Sequence, residues 1–556
     1  MAHRLTVLAT TDVHGTVLNW DYYADRPFTD REAGLAQLAT VVERRRRELG
    51  DDAVVLVDNG DTIQGTPLNT YVAQQEPITR TGTTHPMAAA FNVMGYTAVN
   101  LGNHEFNYGF EHLSAWQSQL TAPLLGTNVS HRDGSEVGFQ RFVRLESTLG
   151  GHPVRVGILG LTTPGSMVWD RHHLEREGVV VEDMVVCAQR WVPRLRDEFG
   201  CDLVVVLCHA GIGTSSYATG ADIPPENPAA DIAAEVPGID LMVIGHTHQD
   251  VPEQFVTCRA TGAPVLLTQP RAHAAGLTET TLELERTDDG WRLLHASATA
   301  HPAAGEPPHP GVVAAVQEIH ERTRRHVNQQ VAVSPRRMGT EQATWRASEA
   351  IAFVQHVQAR TVAEALAGTP AAALPVVSLT APTSRTAAIP QGPVSIRDIA
   401  GLYVFDNTLA AVQLTGAELR AHLEHAARYY ADLPAGTVFD PATMTSATRD
   451  GVTIWDYQYD MAHGVDYEID PTRPVGQRIT RLTHPDGRLV TDDDRFAVAL
   501  NHYRLSGAGG YTAVAQAPVL YNDMRDIRQL LVDHALRHGV EVDFRENWRL
   551  RVTMSG

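Results

Sequence analysis

A short apolar run that ends at a polar residue is the pattern from which we predict the fold class, as in Val204-Val205-Val206-Leu207-Cys208-His209. Three further runs have the same form: residues 5–9 lead to Asp12, residues 54–57 lead to Asp58 and Asp61, and residues 241–244 lead to His246. Between such runs, residues 34–49 and 179–199 have the apolar spacing of helices. Because short buried strands alternate with helices, the sequence predicts an α/β domain.

Residues that can bind a metal or transfer a proton follow these runs. In sheets of this kind, binding sites form outside the carboxyl ends of the strands, so we expect the loops to converge on one place. One more segment belongs with them, Leu101-Gly102-Asn103-His104-Glu105-Phe106-Asn107-Tyr108. The candidate site residues are Asp12, His14, Asp61, Asn103, His104, His209, His246 and His248.

The types of these residues predict a centre for two divalent ions. Aspartate supplies a hard oxygen ligand and histidine a neutral nitrogen ligand, a mixture that favours Mn²⁺, Zn²⁺ or Co²⁺ over Mg²⁺ alone. A carboxylate is the best ligand to span both ions, and we assign that role to Asp61. One ion is completed by Asp12, His14 and His248. The other is completed by Asn103, His209 and His246.

His104 is expected to have a different role from its neighbours. It cannot easily bind the same ion as Asn103 beside it, but it can protonate a leaving-group oxygen. Water held between two ions becomes a nucleophile at neutral pH. Together these features predict metal-assisted hydrolysis of a phosphate ester. The alternative is that the candidates are separate structural polar residues at strand ends, and the occurrence of all the segments after strands favours the metal site.

The length of 556 residues is too great for one core and predicts several domains. We expect a dimetal phosphoesterase domain over residues 1–300, a linker and bridging helix over 301–335, and a substrate-binding domain over 336–556. The linker is the Pro- and Ala-rich stretch at the start of the middle segment, and the bridging helix covers residues 311–330. In the last domain, a strand is expected at residues 409–416, leading into a helix.

The overall charge limits the kinds of partner. A formal net charge of −20 argues against binding to nucleic acid polymers or anionic membranes, which requires Lys and Arg to neutralise phosphates. The run Arg44-Arg45-Arg46-Arg47 falls in a helical pattern and is interpreted as a solvated helix face. The four cysteines form no Cys-x-x-Cys pair, which indicates neither a zinc knuckle nor a disulfide framework. No leader or membrane-spanning run is found, so we expect a cytoplasmic protein, or an exported one if a leader preceded this sequence.

These motifs resemble those of the calcineurin-like metallophosphoesterases and, more narrowly, of the 5′-nucleotidase family. Residues 58–68, 102–109 and 460–470 are similar to the bacterial 2′,3′-cyclic-nucleotide 2′-phosphodiesterase/3′-nucleotidase branch. The resemblance covers nearly the whole chain. It implies an N-terminal domain of two mixed sheets flanked by helices, then a linker helix, then a C-terminal α/β nucleotide-binding domain.

The resemblance also implies how a nucleotide is held. Two aromatic rings clamp the base in this family, and Phe405 and Tyr503 match them. An arginine grips the phosphate, and Arg385 is the candidate here, although the stretch around it departs from the Gly-rich family pattern. Many 5′-nucleotidases have Asp three residues after the catalytic His, where this chain has Asn107. Both departures favour the 3′- and cyclic-nucleotide branch.

The expected activity is hydrolysis of 2′,3′-cyclic nucleotides to 3′-nucleotides, and of 3′-nucleotides to nucleosides and phosphate. One alternative is a 5′-nucleotidase or nucleotide-sugar hydrolase, and another is a non-enzymatic binding or scaffold protein on the same fold. The expected partner is a small-molecule nucleotide, with no nucleic acid polymer and no membrane. The sequence leaves the metal identity and the oligomeric state open.

Overall fold

The computed structural model describes residues 2–29, 32–215, 223–288, 290–405, 407–449, 451–523 and 525–554. The chain forms two compact units, Met1–Arg324 and Arg325–Gly556. The division falls within the helix Pro310–Val327, inside the segment 301–335 that the sequence marks as a linker and bridging helix.

Two six-stranded sheets form the centre of the first unit. Its strands are β1 Ala2–Thr10, β2 Val54–Asp58, β3 Ala98–Asn100, β4 Leu124–Leu125, β5 Val129–His131, β6 Phe142–Leu149, β7 His152–Thr162, β8 Val179–Val181, β9 Leu203–His209, β10 Leu241–Ile244, β11 Val251–Thr257, β12 Pro264–Gln269, β13 Gly276–Thr287 and β14 Gly290–Pro302. The sheets have the orders β14-β13-β1-β2-β3-β4 and β11-β12-β10-β9-β7-β6. In each, four neighbouring strands are parallel and the others antiparallel, so both sheets are mixed.

Helices cover the outer faces of both sheets. They are α1 Leu35–Leu49, α2 Pro67–Thr70, α3 Ile78–Thr81, α4 Pro86–Met94, α5 Gly109–Gln117, α6 Ser166–Trp169, α7 Arg171–Glu177, α8 Met184–Asp197, α9 Ala229–Glu235 and α10 Pro310–Val327. Val7 of the first sheet and Val205 of the second lie in one apolar cluster between the sheets. Helices α1 and α4 pack on the first sheet, and α8 and α9 on the second. Parallel strands buried on both faces explain why the sequence runs are continuously apolar.

Two arginines of the run in α1 form ion pairs within this unit. Arg44 pairs with Glu306 at 2.8 Å, and Arg45 pairs with Glu279 at 2.6 Å. The run lies on a helix, as predicted, but its face is only partly solvated, because Arg44 and Arg45 pair with carboxylates of the same unit. The four cysteines are all buried and free. None of the helices in the described part of the chain has the length and apolarity needed to span a bilayer.

A five-stranded sheet of order β24-β17-β27-β20-β28 forms the centre of the second unit. The strands of the unit are β15 Gln330–Ser334, β16 Met338–Gly339, β17 Val376–Thr380, β18 Ala388–Ile389, β19 Gly392–Ser395, β20 Leu409–Thr415, β21 Val438–Phe439, β22 Thr448–Arg449, β23 Val452–Thr453, β24 Met461–His463, β25 Asp466–Ile469, β26 Ile479–Thr483, β27 Arg495–Asn501, β28 Val519–Tyr521, β29 Trp548–Leu550 and β30 Thr553–Met554. Its helices are α11 Glu349–Leu366, α12 Ile396–Ala400, α13 Gly416–Ala426, α14 Pro441–Met444, α15 His502–Leu505, α16 Thr512–Ala515 and α17 Ile527–His538.

Helices cover both faces of this sheet as well. Helices α11 and α17 pack on one face and α13 on the other. The predicted step from strand to helix is β20 followed directly by α13, where Thr415 and Glu418 form a capping box at the helix start. The predicted α/β class is thus confirmed for both units. The Pro- and Ala-rich linker begins later than expected, because His301 and Pro302 still pair with β13 as the end of β14.

Candidate metal centre

Strand ends of both sheets in the first unit supply the candidate ligands. Asp12 and His14 follow β1, Asp61 follows β2, His209 ends β9 and His246 follows β10. The ends of β1 and β2 are level because Thr10 pairs with Asp58. The ends of β9 and β10 are level because Cys208 pairs with Ile244. The loops therefore converge as the sequence predicts.

Backbone strain is concentrated at these loops. Five candidate ligands have positive φ: Asp12 at 50°, His14 at 46°, Asp61 at 58°, His246 at 68° and His248 at 53°. Such a conformation costs a non-glycine residue about 1–3 kcal/mol. Hydrogen bonds between loops maintain it: His14 N donates to Asp61 O at 2.9 Å, and His246 N to the Asp12 carboxylate at 3.1 Å. Strain held in place by neighbouring loops is typical of a functional site.

The first cluster of ligands contains Asp12, His14 and His248, whose ligand atoms all lie within 4.8 Å of one another. His248 Nε2 lies 3.1 Å from His14 Nε2 and 3.4 Å from Asp12 Oδ1. Burial, aided by the charge of His248, lowers the pKa of His14 to about 4. His14 is therefore neutral, as coordination through a ring nitrogen requires.

The second cluster contains Asp61, His209 and His246, again with ligand atoms within 4.8 Å of one another. Asp61 Oδ2 lies 3.1 Å from His209 Nε2 and 3.9 Å from His14 Nε2 of the first cluster. The same carboxylate oxygen therefore faces both clusters, which is the position required of a bridging ligand.

Asn103, which the sequence assigns to the second cluster, offers an atom that has no other role among the described residues. Its side chain is buried, and Oδ1 has no hydrogen-bond partner among the described residues. An unpaired buried carbonyl oxygen costs free energy unless a cation or donor meets it. The donors present, oxygen and nitrogen atoms in two adjoining clusters, therefore fit two divalent ions.

The two aspartates remain ionised, as metal ligands must. Burial acts to raise the pKa of Asp61, but the charges of His209 and His104 hold it well below its usual value. Burial also acts to raise the pKa of Asp12, and the hydrogen bond from His248 outweighs it and lowers this pKa. Burial acts to lower the pKa of His209, but the charge of Asp61 outweighs it and raises this pKa to about 10. His14 is thus uncharged without an ion, whereas His209 would release its proton when an ion binds.

His104 lies beside the clusters and belongs to neither of them. Its backbone N–H donates to Asp61 Oδ1 at 2.8 Å, and its Nε2 lies 3.9 Å from Asp61 Oδ2. About a third of the side chain is exposed, so that a bound molecule can reach it. On the other edge of the ring, Nδ1 contacts Asn107 Oδ1 at 2.6 Å. This arrangement suits a proton donor next to the metal centre.

Glu105 is a structural part of the centre that the sequence reasoning missed. Its buried carboxylate accepts hydrogen bonds from four backbone N–H groups, those of Asp61, Thr62, Ile63 and Gly102, at 2.6–3.2 Å. It therefore ties the loop after β2 to the loop after β3. Its place directly after His104 is the only signal in the sequence.

Glu226 and Trp169 were also missed, and both contact His246. Glu226 Oε1 lies 2.9 Å from His246 Nε2, and the Trp169 ring stacks on the imidazole with centroids 5.4 Å apart. A carboxylate on the second ring nitrogen fixes the orientation of a metal-binding histidine. No sequence motif marks either residue, because they meet His246 only through the fold.

Asp58 stabilises the turn that precedes Asp61. Its carboxylate accepts hydrogen bonds from Thr10 Oγ1, Thr62 Oγ1 and Gly60 N at 2.7–3.0 Å. Burial raises the pKa of Asp58 to about 7. It shapes the turn that carries Asp61 and does not itself join either ligand cluster.

Phe405 precedes β20 and Tyr503 follows β27, so both lie at the same end of the sheet in the second unit. Leu409 at the start of β20 pairs with Asn501 at the end of β27, and the two residues lie just outside this pair. Phe405 is exposed and packs edge-to-face on Tyr457 with ring centroids 5.8 Å apart. The ring of Tyr503 lies under the guanidinium of Arg504 at 5.4 Å. Two separate segments thus place an aromatic residue at the same end of this sheet.

Arg385 is held by its own unit. Its Nε and Nη2 donate to the two oxygens of Asp456 at 2.5 and 2.6 Å, and Nη2 also contacts Tyr429 Oη at 3.1 Å. This bidentate pair fixes the guanidinium while nearly half of the side chain stays exposed. Its assignment to phosphate binding remains a prediction.

Two family models match the chain, one in each unit. The model for calcineurin-like phosphoesterase matches residues 5–250. The model for the 5′-nucleotidase C-terminal domain matches residues 327–516. The first match contains both ligand clusters, and the second contains Arg385, Phe405 and Tyr503.

Individual proteins match over nearly the whole chain. A 2′,3′-cyclic-nucleotide 2′-phosphodiesterase/3′-nucleotidase of Haemophilus influenzae is 30% identical over 95% of this chain and 84% of that protein. The trifunctional nucleotide phosphoesterase YfkN of Bacillus subtilis is 30% identical over 96% of this chain, which spans only 38% of that longer protein. The fold matches the 5′-nucleotidase precursor of Thermus thermophilus, with a TM-score of 0.63 over 98% of this chain and 99% of that one, at 20% identity. The chain therefore belongs to the 5′-nucleotidase family of calcineurin-like metallophosphoesterases and is a hydrolase of that family.

Proposed function

We propose that this enzyme hydrolyses 2′,3′-cyclic nucleotides to 3′-nucleotides, and 3′-nucleotides to nucleosides and phosphate. The observation that carries the proposal is the position of Asp61 Oδ2, which faces both ligand clusters and lies 3.9 Å from His104 Nε2. A bridging carboxylate and an adjacent proton donor are the two requirements of phosphate-ester hydrolysis at a dimetal centre.

The candidate ligands would hold two metal ions. Asp12, His14 and His248 would hold one ion, and Asn103, His209 and His246 the other, with Asp61 shared between them. When bound, the ions supply a nucleophilic hydroxide and neutralise the phosphate charge. Metals that accept both histidine nitrogen and carboxylate oxygen suit this set, which favours Mn²⁺, Zn²⁺ or Co²⁺.

His104 handles the proton of the leaving group. In the first reaction, the bond between phosphorus and O2′ breaks, and His104 Nε2 gives its proton to O2′, while the oxygen of water remains on phosphorus. In the second, the bond between phosphorus and O3′ breaks, and O3′ receives the proton in the same way. One site serves both reactions because each requires the same nucleophile and the same proton donor.

The second unit supports a nucleotide as the substrate. Phe405 and Tyr503 offer the kind of aromatic faces on which bases stack, and such stacking tolerates every base. Three stretches of sequence, residues 58–68, 102–109 and 460–470, favour the cyclic- and 3′-nucleotide branch. Asn107 in place of the aspartate of many 5′-nucleotidases agrees with this preference.

A substrate panel tests the proposal. Phosphate release would be measured from 2′,3′-cyclic, 3′- and 5′-nucleotides and from a nucleotide sugar, on purified enzyme supplied with Mn²⁺, Zn²⁺ or Co²⁺. The proposal expects turnover of the cyclic and 3′-nucleotides, with the 3′-nucleotide appearing as the intermediate from the cyclic one. Preference for 5′-nucleotides or a nucleotide sugar would overturn it in favour of the alternative activity.

A further inference from the structure

A chain of hydrogen bonds leads from His104 away from the metal centre. His104 Nδ1 contacts Asn107 Oδ1 at 2.6 Å, and Asn107 Nδ2 donates to Asp170 Oδ1 at 2.9 Å. Asp170 is 4% exposed and lies between helices α6 and α7. Its other oxygen, Oδ2, has no hydrogen-bond partner among the described residues, so its carboxylate is directed to Asn107.

The amide of Asn107 can serve His104 in only one orientation. A carboxylate accepts through either oxygen, whereas an amide accepts at one end and donates at the other. A proton donor of the histidine type needs both ring nitrogens protonated, and therefore needs an acceptor at Nδ1. If the amide turned round, its NH₂ group would face Nδ1 and oppose that protonation.

We infer that Asp170 is a positioning residue that fixes the orientation of the Asn107 amide and thereby keeps an acceptor on His104 Nδ1. Above a pH of about 7 the buried Asp170 carboxyl is ionised and cannot donate to Asn107 Oδ1, so it draws Nδ2 toward itself and leaves Oδ1 for the imidazole. The inference rests on the proposed role of His104 as the proton donor. It explains how a chain with asparagine at this position can retain that role.

The segment that carries Asp170 has a second contact with the centre. The preceding residue, Trp169, stacks on His246, a candidate ligand of the second cluster. Trp169, the last residue of α6, therefore contacts the metal site, and Asp170, the next residue, contacts Asn107, the partner of His104. Two adjacent contacts of this kind indicate that the segment supports the centre and does not merely pass it.

The decisive experiment has two steps. The first removes the Asp170 carboxylate that accepts from Asn107, and the second replaces Asn107 by a residue that does not need it. Asp170→Leu keeps similar bulk but accepts no hydrogen bond, so the Asn107 amide loses its fixed orientation. In the double variant Asn107→Asp with Asp170→Leu, residue 107 is a carboxylate, which has no orientation to lose. Arg171→Leu is the matched control, because Arg171 follows Asp170 directly as the first residue of α7 and is exposed. Zinc content and thermal unfolding would be measured for each variant.

Turnover would be compared at pH 8, where the Asp170 carboxyl is ionised, for a 3′-nucleotide and for bis-p-nitrophenyl phosphate, whose leaving group departs without a proton. Asp170→Leu should lower kcat for the nucleotide by roughly 10- to 100-fold, part of the 10²–10⁴-fold that general acid catalysis provides. Its kcat for the nitrophenyl ester should fall less than about threefold, because that step does not use the donor. The double variant should recover most of the nucleotide rate, and Arg171→Leu should match the wild type on both substrates.

Ring ¹⁵N chemical shifts of His104, assigned by comparison with His104→Gln, test the role of Asp170 separately from the proposed role of His104 as the proton donor. In the zinc-loaded enzyme they should report a protonated Nδ1 in the wild type and double variant, and loss of that state in Asp170→Leu. Equal loss of both activities without rescue, or an unchanged His104 signal in Asp170→Leu, would overturn the role of Asp170. A changed signal with unchanged nucleotide turnover would support the positioning role and overturn His104 as the proton donor.

Discussion

Glu105 accepts the backbone N–H of Asp61 at 2.8 Å, so the residue after the expected proton donor holds the expected bridging ligand in place. Burial raises the pKa of Glu105, with the charge of Asp61 acting in the same direction. The carboxylate is nevertheless required, because it accepts four backbone hydrogen bonds that connect two ligand loops.

Replacement of Glu105 by Gln should damage both stability and metal binding. The amide NH₂ would meet backbone N–H groups that have no other acceptor among the described residues, and each buried group left unpaired costs about 1–3 kcal/mol. We expect the free energy of unfolding to fall by about 2–4 kcal/mol. Urea titration and zinc titration would measure the two effects, with the exposed Glu111→Gln as the control. Wild-type stability in Glu105→Gln would contradict the structural role.

Asp61→Asn should be the most damaging ligand substitution, because this side chain faces both clusters. Elemental analysis should find two ions per chain in the active wild type and fewer than one in Asp61→Asn. His14→Ala, which alters only the first cluster, should retain one ion. Active wild-type enzyme with a single ion would exclude the dimetal centre.

His104→Gln tests the proton donor directly. The loss of kcat on a 3′-nucleotide should be roughly 10²–10⁴-fold, the usual range for general acid catalysis. The loss on bis-p-nitrophenyl phosphate should be much smaller, since p-nitrophenolate leaves without a proton. His152→Gln, at an exposed position, should change neither rate. Equal losses on both substrates would make His104 a residue of the metal or phosphate site.

The aromatic rings of the second unit separate a nucleotide enzyme from a general phosphoesterase. Each stacked ring contributes about 1–3 kcal/mol, so Phe405→Ala or Tyr503→Ala should lower kcat/KM for nucleotides by roughly 10- to 100-fold. Hydrolysis of bis-p-nitrophenyl phosphate should be almost unchanged, because it has no base. Phe405→Trp keeps a stacking face and should retain nucleotide turnover. A parallel loss of both activities would instead indicate that the rings stabilise the unit.

Asp170 should destabilise the enzyme at alkaline pH. Burial raises its pKa to about 7, so between its ordinary value and pH 7 the unfolded chain is ionised while the folded chain still holds the proton. Stability therefore falls as pH rises through this range and then stays low. Asp170→Asn removes the penalty, and its advantage in unfolding free energy over the wild type should grow by about 2–3 kcal/mol between pH 5 and pH 8. Urea unfolding of both proteins at pH 5 and pH 8, in the same metal buffer, measures this difference in free energy. A difference that does not change with pH would place the pKa of Asp170 near its ordinary value.

Local sequence was enough to predict the four strands that lead to candidate ligands, whereas residues 179–181, predicted as the start of a helix, form β8. The run that ends at His209 is β9, and the helices follow because apolar residues recur with helical spacing in α1 and α8. Four apolar runs that each end in a candidate ligand also implied convergence, since parallel strands place their carboxyl ends at one edge. The candidate ligands could therefore be assembled before their distances were known.

Only the tertiary structure decided how these residues are held and which others join them. The positive φ angles of Asp12 and Asp61 depend on hydrogen bonds between loops that are distant in the chain. Glu226 reaches His246, and Asp170 reaches Asn107, by contacts that no sequence spacing encodes. The physical reason is that residue type and period fix a strand or a ligand, whereas the orientation of a buried polar side chain depends on the partner that folding brings to it.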